Sequence, residues 1–100
     1  MPGTAPIHII GATGRSGLAL CHALTTQGRS IVPVVRSLPR WQATGLAASA
    51  RIARLEQNPA ALRAALADAT YIVQTAHARH LPADQAAAPT KARIVALRST

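Results

Sequence analysis

The chain is 100 residues long, with eleven Arg and Lys against three Asp and Glu, for a formal net charge of +8. That length allows one domain at most, and a hydrophobic fraction of 49% is too high for a disordered chain. The cations are dispersed, and one Trp, one Tyr and no Phe leave almost nothing for base stacking, which argues against nucleic acid as the partner.

Ile7-His8-Ile9-Ile10 reads as a short buried strand ended by Gly11. Behind it stands Gly11-Ala12-Thr13-Gly14-Arg15-Ser16-Gly17, a G-x-x-G-x-x-G run. At a strand-to-helix junction such glycines permit the turn, let backbone N–H groups approach a diphosphate, and let the new helix pack closely. Leu18, Cys21, Leu24 and Thr25 then recur at helical spacing over residues 15–27, and Gly28 is placed to stop that helix. Ile31 to Val35 reads as a second strand, with Pro33 awkward inside it because proline cannot donate to a ladder. Residues 39–50 read as a weak helix interrupted by Gly45, and residues 51–55 as a third strand.

Asn58-Pro59 supplies an N-cap and a first-turn proline for a helix through Leu62 and Leu66 to about Ala67. A fourth strand is expected over residues 71–75, a short helix over 84–88 before Pro89, and a last strand over 94–97. The order β-α-β-α-β-α-β-(α)-β predicts an α/β, Rossmann-type doubly wound parallel sheet of about five strands in order 3-2-1-4-5. Such a fold normally continues past its fifth strand, so residues 1–100 are expected to be one dinucleotide-binding domain, the N-terminal portion of a truncated protein. Much of the apolar content is alanine, which predicts a thin core. Cys21 has no partner for a disulfide and suits a reducing compartment. No stretch is long enough to span a membrane and no signal-peptide pattern opens the chain, so the expected location is the cytoplasm.

Ile7 to Gly17 resembles the opening of the atypical and extended short-chain dehydrogenases/reductases, the NAD(P)H-binding, NmrA-like and epimerase-like proteins whose signature is G-A-T-G-x-x-G. Ile31-Val32-Pro33-Val34-Val35-Arg36 resembles their second strand more loosely. The resemblance implies that the backbone of Thr13, Gly14, Arg15 and Ser16 surrounds the pyrophosphate, with Gly11 and Gly17 serving turn and packing. It implies that Arg36 reaches the adenosine ribose, where an acid would select NAD and a cation accommodates a 2′-phosphate. With no acid near Arg36 and Arg15 as a second phosphate partner, NADP(H) is favoured over NAD(H); the alternative is that Arg36 is a solvated strand-end residue. Thr75-Ala76-His77 falls where such proteins pass the cofactor's ribose and nicotinamide. Ser99, with Thr100, stands where relatives carry a hydroxyl near the substrate, and could polarise a carbonyl or merely cap a turn. One departure is Arg54-Leu55, where the family has Gly-Asp and the Asp reaches the adenine.

The family's Tyr-x-x-x-Lys pair is absent: the sole tyrosine is Tyr71, followed four positions on by Thr75. His8 reads as a core or sheet-face residue, Cys21 as inert packing and Trp41 as a gap-filler or a cover for the adenine. His77 and His80, without clustered carboxylates, do not make a metal site. The expected function is the NADP(H)-binding domain of a short-chain-type oxidoreductase or isomerase acting on a small organic substrate. The alternative is a non-catalytic, NADP(H)-sensing regulator of the NmrA-like kind, and after it a basic nucleic-acid-binding module.

Overall fold

A computed structural model describes residues 5–46, 50–52, 59–75 and 86–96. The elements are β1 (Ile7–Ile10), α1 (Arg15–Thr26), β2 (Ile31–Val35), α2 (Leu38–Gln42), β3 (Arg51–Ile52), α3 (Pro59–Leu66), β4 (Tyr71–Gln74) and β5 (Arg93–Ala96). All described pairings are parallel and the strand order is β3-β2-β1-β4-β5. This is the α/β, Rossmann-type doubly wound sheet that the element order predicts.

The two faces of the sheet follow from the period-2 alternation of its strands. On one face Ile10, Val34 and Ile72 pack with Leu62, Ala65 and Leu66 of α3. On the other, Ile9, Ile31 and Val35 pack with Cys21 of α1 and Trp41 of α2. Trp41 is 2% exposed, so it fills the gap under α2. The helices that lead from β1 to β2 and from β2 to β3 lie on one face, and the crossover to β4 lies on the other. The winding therefore reverses between β1 and β4, which opens a crevice beyond the carboxyl ends of those strands. Tyr71 and Val95 stay exposed on the α1 face, which no described helix covers over β4 and β5.

Several local expectations change in detail. The second helix is only five residues long, opened by Ser37, whose Oγ accepts from the Arg40 N–H, and followed by Gly45 at φ +75°. β3 begins at Arg51 as expected, and its described pairing covers Arg51 and Ile52. β5 begins one residue earlier than the pattern suggests, at Arg93. α1 ends as expected: Gly28 adopts φ +76°, and the Gly28 and Arg29 amides donate back to the Thr25 and Leu24 carbonyls. Asn58, Asp84 and Gln85 lie outside the described residues, and of the helix expected over 84–88 Ala86 and Ala87 are helical.

Pro33 sits in an interior strand without disturbing its pairing with β1. Ile7 donates to the Ser30 carbonyl and Gly11 to the Val34 carbonyl, while Ile9 lies opposite Pro33. In a parallel ladder the N–H and C=O of one residue point to the same side, so the even-numbered residues of β2 serve β1. Pro33 turns its missing N–H toward β3, where described pairing begins only at Val34. The ladder donor that Pro33 lacks is therefore not one that β1 uses.

On the α3 face, Arg51 forms a bidentate pair with Asp68, at 2.5 Å and 3.0 Å, and donates at 2.9 Å to the Ala65 carbonyl near the end of α3. Asp68 also accepts from Nε2 of His8 at 3.3 Å, while His8 Nδ1 is buried without a hydrogen-bond partner. The guanidinium beside Asp68 holds its carboxyl well below the usual carboxylate range, and burial pulls the His8 imidazole below its ordinary 6.5. Both shifts have the same sign, because the unfolded chain takes up protons before the folded one does. Stability should be full above the ordinary His value and fall first as pH drops below about 6.5, then again in the acid range of Asp68. The first fall has a slope of at most about 1.4 kcal/mol per pH unit for one proton. Urea midpoints measured from pH 8 to pH 5 should show it. His8→Leu should flatten that stage without lowering the midpoint at pH 8, and a variant that keeps the slope would remove His8 as its cause.

Candidate functional site

The glycine run stands where the fold requires it, between the end of β1 and the start of α1, beside the crevice. Gly11 leaves the strand at φ +83°, a left-handed conformation that favours glycine. Its carbonyl accepts the Gly14 N–H at 3.0 Å, which closes the turn, and Gly14 then caps α1 with extended backbone while its carbonyl accepts the Leu18 N–H. No side chain caps this end, and the first turn holds no acid. The amides of Arg15, Ser16 and Gly17 precede the first intrahelical bond, so they supply the positive end of the helix.

Gly17 is the tightest point. A Cβ built there would lie 2.0 Å from the Gly11 carbonyl oxygen and 2.7 Å from Thr75 Oγ1. Gly14 is looser, since a Cβ would sit 3.3 Å from the same carbonyl oxygen. The glycine roles expected from spacing thus have a steric basis at Gly11 and Gly17, and a lighter one at Gly14.

Thr75 follows β4 and meets the turn from the other side of the crevice. Its N–H donates to the Ile10 carbonyl at 2.9 Å. Its hydroxyl, itself buried, lies 2.8 Å from the Ile10 oxygen and 3.2 Å from the Gly11 oxygen. The family resemblance implies that Thr75 lies beside a cofactor, but the sequence held no sign of this bond across sixty-four positions.

Arg36 is exposed immediately after β2. The register ends with Ile10 opposite Val34 and the Gly11 N–H donating to the Val34 carbonyl, so Arg36, two residues on, follows β2 at the same carboxyl end of the sheet as the glycine turn. Thr13 and Ser16 are half-buried, and Gly14 and Arg15 are exposed at the opening of α1. The fold therefore puts Gly11, Thr13, Gly14, Arg15, Ser16 and Gly17 after β1, Arg36 after β2 and Thr75 after β4, all at the carboxyl ends of neighbouring strands. Ala76, His77, Ser99 and Thr100 lie outside the described residues, as do Arg54, Leu55 and His80. Cys21 lies behind the site, buried against the sheet, and its thiol is pushed up to about 11 by burial, so it stays protonated and unreactive at neutral pH. Among the described residues no three His, Cys, Asp or Glu side chains could hold a metal ion, and no helix is long and apolar enough to cross a membrane.

A glycine turn, a helix N-terminus with free amides and a cation at the end of the neighbouring strand make an anion-accepting end of a Rossmann-type fold. No family model matches this sequence, and no curated protein matches it. Among solved structures the chain is similar to a short-chain dehydrogenase/reductase superfamily protein from Agrobacterium tumefaciens with bound NAD. The TM-score is 0.63 at 22% identity, over 90% of this chain and 31% of that one. The chain thus has the fold of part of a short-chain dehydrogenase/reductase protein, and spans about a third of its length.

Proposed function

We propose that this chain is the NADP(H)-binding portion of a short-chain-type oxidoreductase or isomerase that acts on a small organic substrate. The observation that carries the reading is Arg36, which follows β2 at the carboxyl end of the sheet next to the strand that leads into the glycine turn, in a stretch Val34-Val35-Arg36-Ser37 that contains no acid. The residues fit a dinucleotide: glycine at 17 lets the start of α1 pack directly on the Gly11 turn, and the opening turn of α1 carries no capping side chain and no acid to oppose an anion. The diphosphate would lie against the backbone of Thr13, Gly14, Arg15 and Ser16, and Arg36 would meet a 2′-phosphate on the adenosine ribose. When bound, the nicotinamide supplies the hydride chemistry. This chain's own residues bind and orient; Ala76 and His77 would line the path toward the nicotinamide, and Ser99 is the weak candidate for a substrate contact.

The absence of a Tyr-x-x-x-Lys pair within these residues supports a second reading, a dinucleotide sensor without hydride transfer. Both readings share the same seat and the same first test. NADPH should bind the purified chain more tightly than NADH by about tenfold, the value of one charge-assisted phosphate contact. Arg36→Ala should bring the two affinities together in a fluorescence or calorimetric titration. Equal affinities for the unaltered chain would overturn the assignment of Arg36, and binding of neither would overturn the dinucleotide reading itself.

A further inference from the structure

Three backbone and side-chain features converge on the Gly11 carbonyl oxygen. It accepts the Gly14 N–H at 3.0 Å, it lies within 3.2 Å of the Thr75 hydroxyl, and it leaves no room for a Cβ at Gly17. The Thr75 hydroxyl also reaches the Ile10 oxygen at 2.8 Å, beside the bond its own N–H makes there. One hydroxyl proton shared between consecutive carbonyls holds the last residue of β1 and the first residue of the turn in one orientation. The Gly11 carbonyl is thereby held between Gly14, Gly17 and Thr75, and with it the turn that leads into the opening amides of α1.

Neither carbonyl depends on the hydroxyl for its only partner. Ile10 keeps the Thr75 N–H and Gly11 keeps the Gly14 N–H. Removing the hydroxyl with a side chain of the same shape therefore orphans no buried group, and a large loss of stability is not expected. The effect of losing it should fall on how well the turn is held in advance of binding.

We infer that Thr75 is a positioning residue of the diphosphate seat, acting through the Ile10 and Gly11 carbonyls and not by touching the ligand. The inference rests on the dinucleotide reading above and gives Thr75 a role distinct from the direct contact that family resemblance implies. A side chain that touches the cofactor and one that holds the turn differ in which ligands feel the change.

The test titrates NADPH and adenosine 2′-monophosphate, which shares the 2′-phosphate but has no diphosphate, against three proteins. Thr75→Val should weaken NADPH about fivefold to tenfold, in line with one hydrogen bond, and leave adenosine 2′-monophosphate within about twofold. Thr75→Ser, which keeps the hydroxyl, should restore NADPH to within about twofold of the unaltered chain. Unchanged NADPH affinity in Thr75→Val would overturn the inference while leaving the dinucleotide reading intact. Equal weakening of both ligands, or failure of the serine variant to restore binding, would show a general structural effect and overturn it too. An unaltered chain that binds neither NADPH nor NADH would overturn the dinucleotide reading, and the role of Thr75 with it.

Discussion

Gly17→Ala should be the most damaging single-methyl change in the described part of the chain, with a loss of about 4 kcal/mol or more and loss of nucleotide binding. The added Cβ would lie 2.0 Å from the Gly11 carbonyl oxygen and 2.8 Å from its carbon, both backbone atoms. A flexible side chain can swing away from such an overlap, but this backbone is tied at Gly11 by its bonds to Gly14 and Val34. Relief requires α1 to lift from β1 or the turn to open, and either movement disperses the amides at the start of the helix. Two other glycines calibrate the expectation. Gly28 has open space around it and a φ of +76°, so its alanine variant should show only the left-handed penalty of roughly 1–2 kcal/mol. Gly14 has φ −75° and a 3.3 Å neighbour, so its variant should fold nearly normally. Urea denaturation followed by far-UV circular dichroism ranks the three. Equal losses at Gly17 and Gly28 would show that conformational preference, and not crowding, sets the need for glycine at the start of α1.

Trp41→Ala should come second, with a loss of about 3–5 kcal/mol. Trp41 is 2% exposed and packs in a cluster with Ile9, Cys21, Ile31 and Val35, flanked by smaller contributions such as Ala12. It is the largest side chain among the fully buried residues, in a chain whose apolar content is mostly alanine, leucine, isoleucine and valine. Little nearby can move to refill its volume, because α2 is a single short element closed by Gly45. Against a typical total of roughly 5–15 kcal/mol for a domain, that loss is a large share. The midpoint of unfolding, again by circular dichroism because the variant has no tryptophan, checks it. A midpoint near that of the unaltered chain, with weakened nucleotide binding, would instead mark Trp41 as a cover for the adenine.

What was legible in the sequence is what local pattern controls. Ile7–Ile10 followed by the glycine run, the stop at Gly28 and the proline at the start of α3 each depend on residues within a few positions, and each stands where the pattern puts it. The strand order followed from the doubly wound dinucleotide-binding fold that the alternation of strands and helices implies. Contacts between distant residues were not legible. The Thr75 hydroxyl finds Gly11 across sixty-four positions, and Arg51 finds Asp68 across seventeen. Asp68 carried a faint signal, as one of three acids in a strongly basic chain, because a lone carboxylate there readily acquires an arginine. The orientation of Pro33 was also out of reach, since only the pairing register decides which neighbour a residue's N–H faces.

That register gives Pro33 a role as a key. If β2 slid by one residue against β1, its odd-numbered positions would turn toward β1, and Pro33 would bring its missing donor to the centre of the sheet opposite a carbonyl needing one. The same slide would turn Val34 away from α3 and shift the end of β2 by one residue against β1. A residue that looks like a defect in the strand therefore makes the misaligned sheet worse than the aligned one, and so fixes where along the sheet β2 ends and Arg36 begins.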